Sequence, residues 1–232
     1  MADYKNRSLQ KEFLDQNDIP FRDIFLNMKE LELINSHLGG HEITIKGFKK
    51  LLDKRKTISV CEIGCGGGDN LNALNRFCKR NRIISSFTGI DINKDCIAYA
   101  KENSQMENIN FIVSDYRNAD FKNEKPDIIF SSLFCHHFTD NELIEIIMWM
   151  KKNSTIGFFI NDLHRHPIAY HSIKIVTKIF SRSYLVKNDA PLSVLRGFKK
   201  SEWEKILKES GIDHVSIEWK WAFRFLIVAI NS

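Results

Sequence analysis

Val60-Cys61-Glu62-Ile63-Gly64-Cys65-Gly66-Gly67-Gly68-Asp69 is the stretch that decides the fold. It leaves a strand-like segment, residues 58–63, and enters a helical one, residues 69–80, so its glycines sit at a strand-to-helix turn. Glycine permits a tight turn there and lets backbone N–H groups approach a ligand with no Cβ in the way. The helix N-terminus beyond adds partial positive charge, which suits an anionic group. Two patterns compete for this turn. A dinucleotide fingerprint G-x-G-x-x-G begun at Gly64 needs a small residue where Asp69 stands, and Asp69 would place negative charge beside a pyrophosphate. The pattern acidic-x-G-x-G-x-G is met in full, at Glu62, Gly64, Gly66 and Gly68.

Outward from this turn the chain alternates strand and helix. Strands are predicted at 58–63, 87–91, 109–113, 127–131 and 156–162, with helices at 69–80, 94–105 and 141–152 between them. Such βαβα alternation requires a parallel sheet covered by helices on both faces. Upstream, residues 8–56 read as helical. Pro20 breaks the run, Ile24, Leu31 and Ile34 recur at helical spacing, and Gly39-Gly40 closes that helix before a second near 45–54. After Asp162 the regularity breaks. A basic amphipathic stretch at 170–187 precedes a helix at 201–209. Two strand-like runs, 215–219 and 223–230, then follow with a connection too short for a helix, so they pair antiparallel.

Two further carboxylates end strands. Asp91, in Gly89-Ile90-Asp91-Ile92, can accept from ribose hydroxyls, a role dehydrogenases also use. Asp115 ends the third strand in Val113-Ser114-Asp115-Tyr116. Either could instead serve as a helix cap or turn residue; together with the glycines they favour a nucleoside-type cofactor.

With these motifs the segment resembles the first motif of class I methyltransferases. The resemblance implies a Rossmann-like α/β fold: a mostly parallel seven-stranded sheet with an antiparallel C-terminal strand, a helical N-terminal cap over residues 1–56 and the methyltransferase domain over 57–232. A lid insertion is expected at 166–198. It implies S-adenosylmethionine as cofactor, held by Glu62, Gly64, Cys65, Gly66, Gly68, Asp91, Ile92, Asp115, Tyr116, Ser131 and Leu133. Within the class the chain is similar to bacterial small-molecule methyltransferases, distantly related to those of quinone biosynthesis. The matching patterns are Arg7-Ser8, Glu12-Phe13-Leu14-Asp15, Leu33-Ile34-Asn35, Gly39-Gly40, Asn161-Asp162-Leu163-His164-Arg165 and Ser193-Val194-Leu195-Arg196-Gly197-Phe198. Some members of the group accompany polyketide synthases, which suggests a phenolic or enolic hydroxyl as acceptor. The rival readings are a carbon-directed methyltransferase of the quinone type and a non-catalytic adenosylmethionine-binding protein; the intact glycine turn speaks against the second.

Five histidines, His136, His137, His164, His166 and His171, follow the fourth and fifth strands, whose carboxyl ends line the ligand crevice in open α/β sheets. A neutral imidazole is suited to take a hydroxyl proton near neutral pH. A histidine chosen blindly is more often a cap or surface residue. Position favours His137, just after Ser131-Ser132-Leu133, and His164, within the matched motif, with Arg165 to orient the acceptor or its developing oxyanion. No metal is expected: Cys135, His136 and His137 are contiguous and cannot all converge on one ion. Ser131 and Ser132 also stand where catechol-type enzymes carry a magnesium-binding Asp.

The remaining features bound the class. The 232 residues are 43% hydrophobic and 27% charged, ordinary for one globular domain. The net charge of +5 is spread along the chain. Ser131-Ser132-Leu133-Phe134 lacks the Pro-Pro-aromatic motif of nucleobase amine methylation, so a small-molecule acceptor is expected and nucleic acid is not. No apolar run suits a signal peptide or a membrane span, and stable membrane association is not expected. Five cysteines without a C-x-x-C pair fit reduced thiols in a cytoplasmic protein.

Overall fold

The computed structural model describes residues 2–15, 19–121 and 124–231. Of the expected N-terminal cap, positions 1 and 16–18 lie outside the described residues, as do 122, 123 and 232 of the expected methyltransferase domain. Among the described residues seven strands form one sheet: β1 (Thr57–Ile63), β2 (Ile84–Asp91), β3 (Ile109–Val113), β4 (Ile128–Ser132), β5 (Gly157–Leu163), β6 (Val215–Lys220) and β7 (Arg224–Ile230). Their order is β3-β2-β1-β4-β5-β7-β6, and β7 runs antiparallel to both of its neighbours. The β1-to-β4 crossing, where the strand order reverses, opens a crevice at the carboxyl ends.

Side chains alternate across the pleat and so divide the core in two. Val60, Ile128, Phe130, Phe159 and Leu226 face one side, packing with α2 (Gly40–Leu52), α3 (Asp69–Arg80) and α4 (Lys94–Asn103). Ile63, Ile129, Phe158, Ile160 and Ile227 face the other, against α5 (Asp140–Asn153) and α8 (Lys200–Glu209).

The N-terminal region divides into parts with different tasks. Residues 2–12 are not helical; they form a strap laid along α7 (Tyr184–Arg196), with Ser8 N–H donating to Leu195 O and both Asp189 carboxylate oxygens accepting from the N–H groups of Phe13 and Leu14. The helix α1 (Phe21–His37) begins directly after Pro20 and packs on α4. Helix α2 is a layer of the domain itself, packed on β5 and β7. It starts five residues earlier than the apolar spacing suggests because Gly39 takes a positive φ of 74° and lets the chain turn. A Cβ on Gly40 would stand 1.6 Å from Asn35 Oδ1, so a side chain there would displace Asn35 from the α1–α2 corner. The basic stretch after β5 forms α6 (Pro167–Phe180) and α7, with Pro167 at the first helical position of α6.

Candidate active site

The glycine turn is built by backbone conformation. Gly64, Gly66 and Gly68 have φ of 66°, 49° and 74°, a region that side chains other than glycine rarely enter. Gly64 and Cys65 N–H groups donate to Ile90 O, clamping the turn to the end of β2. From the same strand end, Asp91 accepts from Gly66 N–H at 2.9 Å and from Asn93 N–H at 2.8 Å. A Cβ on Gly66 would meet only the Met28 sulfur at 3.7 Å, so this face of the turn is open. The start of α3 is held by the N-terminal helices: Asp69 accepts from Asn35 and from His41, each at 2.7 Å.

Glu62 lies beneath the turn, 1% exposed, with Oε2 lacking a hydrogen-bond partner among the described residues. Burial, together with Asp69 and Asp91, pushes its carboxyl well above the usual range. A positively charged ligand group beside it is what would keep it ionised. This turn opens into a cavity of about 1510 Å³. That exceeds the roughly 300–1,000 Å³ of a pocket for one small ligand, so two molecules fit side by side.

At the other end of the cavity the strap brings Glu12 and Asp15 against the turn after β4. His136 Nδ1 lies 2.8 Å from Asp162 at the end of β5. His136 Nε2 lies 3.5 Å from Glu12 Oε1, His137 Nε2 3.9 Å from Glu12 Oε2, and His137 Nδ1 3.2 Å from Asp15. Burial works to lower the His136 pKa, but Asp162 and Glu12 outweigh it and raise it to about 9. Burial likewise opposes ionisation of Glu12 and Asp15, yet the histidines hold both below the usual carboxylate range, Asp15 at about 2. Arg196, whose guanidinium reaches Asp15 and the carbonyls of His136 and His137, fixes the cluster from α7. Ala169, Ile173 and Val176 of α6 wall the space in front of it.

A family model described as a methyltransferase domain matches residues 54–211, from just before β1 to the end of α8. The chain belongs to the methyltransferase domain family. The matched domain is that of a methyltransferase. Over 56 residues the methyltransferase is 39% identical to the mitochondrial ubiquinone biosynthesis O-methyltransferase of Saccharomyces cerevisiae; the match spans 24% of this chain and 17% of that protein. Its fold is similar to that of a SAM-dependent methyltransferase from Aquifex aeolicus, with a TM-score of 0.65, 18% identity, and 93% and 100% of the two chains covered. It is similar too to human N-acetylserotonin methyltransferase in complex with SAM, with a TM-score of 0.62, 17% identity, and 92% and 57% covered. The residues present fit the cofactor: Glu62 offers an unpartnered buried acceptor, and the bare side of Gly66 faces the cavity. Among the described residues no helix of the methyltransferase is long and apolar enough to cross a membrane.

The expected site residues divide by position. Glu62, Gly64, Cys65, Gly66, Asp91, Ile92, Leu133 and His137 line the cavity. Gly68 lies behind it, its missing Cβ leaving room for Phe111. Asp115 caps the turn at Tyr116 and pairs with Arg117, Tyr116 is buried against Phe134 and Trp149, and Ser131 is buried against Cys135; none of the three lines the cavity.

Two expectations for the acceptor end need correction. Arg165 is 1% exposed, and its guanidinium is consumed by Glu202 and the carbonyls of Tyr4, Lys5 and Gly197, so it ties the N-terminal strap to α8 and does not reach the cavity. His164 packs on Phe225, its Nδ1 accepts from Trp219 Nε1, and it does not line the cavity either. Burial, with His166 and Arg165 nearby, lowers its pKa. The positions missed are Glu12, Asp15, His136, Asp162 and Arg196. Glu12, Asp15, Asp162 and Arg196 stand in the matched patterns and His136 directly precedes His137, but nothing local in the sequence shows that the strap returns to the carboxyl end of β4.

Proposed function

We propose that the chain methylates a small-molecule acceptor on oxygen, at a phenolic or enolic hydroxyl. One observation carries this reading: the glycine turn and the Glu12–His136–His137 cluster line a single cavity with room for cofactor and acceptor together. Bound at the turn, S-adenosylmethionine supplies a methyl group on a positively charged sulfur, displaceable by an oxygen nucleophile with the S–C electron pair left on sulfur. Glu62, the bare face of Gly66 and Asp91 are the residues placed to hold it.

The protein's own task is to position the acceptor and draw off its hydroxyl proton. His137, at the cavity wall with Asp15 behind its Nδ1, and His136, oriented by Asp162, supply the polar groups at the acceptor end. Apolar Ile173 and Val176 suit an aromatic or enolic body and keep water from it. The similarity to a ubiquinone biosynthesis O-methyltransferase supports oxygen as the target atom.

Turnover of His137→Ala against an active phenol tests the reading. It should fall by ~10²–10⁴-fold with cofactor affinity unchanged, and the deficit should shrink for phenols already ionised at assay pH. An equal deficit for ionised and neutral phenols would remove proton withdrawal from the role of this cluster.

A further inference from the structure

We infer that Glu12, His136 and His137 form a binding site for a divalent transition-metal ion of the Zn²⁺ type, with an open coordination position facing the acceptor space. One ligand atom from each residue lies within 4.8 Å of the other two. The contiguous Cys135-His136-His137 run suggests that no ion could be shared. Cys135 indeed turns away to Ser131, but two of the three side chains converge, and the third ligand comes from the strap.

Four observations carry the inference. His136 Nε2 is fully enclosed and, among the described residues, has no hydrogen-bond partner, its nearest acceptor being Glu12 Oε1 at 3.5 Å, a state that in a native interior calls for an explanation such as an ion. The Nε2-to-Glu12 separations of 3.5 and 3.9 Å are too long for good hydrogen bonds. They approach the roughly 3.4 Å between ligand atoms on ~2.1 Å arms around a tetrahedral ion. Both imidazoles have their other ring nitrogen against a carboxylate, His136 on Asp162 and His137 on Asp15, the arrangement that orients histidine ligands and raises their basicity. Finally, three carboxylates, Glu12, Asp15 and Asp162, gather at the cluster; Arg196 pairs with Asp15, while Arg7 and the buried Arg224 act on Asp162 electrostatically without an ion pair to it among the described residues. Two imidazoles and one carboxylate favour Zn²⁺, or Co²⁺ in its place, over Mg²⁺, which prefers oxygen ligands and water.

The proposed role rests on the O-methylation reading; the binding does not. An ion here would hold the acceptor oxygen and lower the pKa of its hydroxyl, so that the proton passes to solvent.

The test is equilibrium dialysis of the chelator-stripped full chain against Zn²⁺ and, separately, Mg²⁺, with bound metal counted by mass spectrometry, followed by visible spectroscopy of the Co²⁺-loaded protein. One equivalent of Zn²⁺, no stoichiometric Mg²⁺ and a visible Co²⁺ absorption are expected. Affinity should fall by on the order of 100-fold or more in His137→Ala and Glu12→Gln, by ~10–100-fold in Asp15→Asn, and not at all in His164→Ala. Calorimetric binding of S-adenosylmethionine by each stripped variant shows that it is folded, and His137→Ala, at the partly exposed position, serves if Glu12→Gln does not fold. Absent Zn²⁺ binding, or binding undiminished in folded His137→Ala, overturns the site. Methyl transfer to oxygen by a protein that binds no metal would sink the ion and keep the O-methylation reading. Metal binding by a protein that methylates only carbon would do the reverse.

Discussion

Asp91 holds the glycine turn, and in the proposed function it takes a second task with the same carboxylate. It already accepts from Gly66 and Asn93 N–H groups, which holds the glycine turn in shape, and as an ionised acceptor with about four lone-pair sites it retains capacity for ribose hydroxyls. Burial pushes its pKa up against those hydrogen bonds, so it is a costly charge kept for a partner. Asp91→Ala should weaken cofactor binding by ~1–3 kcal/mol in calorimetry; an unchanged Kd would mean that it serves the turn alone. The places of Glu62, the glycines and Asp91 at the turn were legible in the sequence because strand, turn and helix fix them within thirty positions. Arg165 and His164 were misread because the order of residues after a strand does not say which way the chain turns. Here Arg165 N–H pairs with Phe198 O and leads away from the crevice. Arg165→Met should therefore lower stability by about 3 kcal/mol in denaturant unfolding, through the loss of a buried ion pair and the stranding of three carbonyls. Cofactor affinity of the folded fraction should stay the same, and a stable variant with impaired turnover would restore Arg165 to the site.

At the scale of elements, α6 is the one that the proposed function makes responsible for acceptor choice. Its inner side presents Ala169, Ile173 and Val176 to the cavity, while Thr177 is buried against the domain. Ile168, Ile175 and Ile179 remain on its exposed side. The basic amphipathic stretch at 170–187 does not show how its helix is rotated: Val176 is partly exposed and also lines the cavity, whereas Ile179 is exposed. Val176→Trp should fill the acceptor end, lowering kcat/KM for a bulky phenol by roughly tenfold or more and leaving adenosylmethionine binding intact; one or two misplaced methylene equivalents already cost 10–200-fold in an apolar pocket. An unaffected kcat/KM would put the acceptor elsewhere. The strap was the least legible element. It is not helical, and its place is set by long-range partners, Asp189 and Arg196.

Across the whole molecule, the sheet order and the two-sided core follow from an alternation visible in the sequence, because each strand's pleat assigns its residues to one helix layer or the other. The cavity is a different matter: it is walled by α1, α6, α7, the strap and the β1 and β4 turns, segments far apart in the chain. Their convergence at the carboxyl edge puts the Glu12–His136–His137 cluster and the glycine turn in one cavity. The most direct measurement of that arrangement is to supply the protein with S-adenosylmethionine bearing an isotopically labelled methyl group and a panel of phenols, and to locate the label in the product by NMR. The label is predicted on oxygen, as a methoxy group. A label attached to ring carbon would contradict the account.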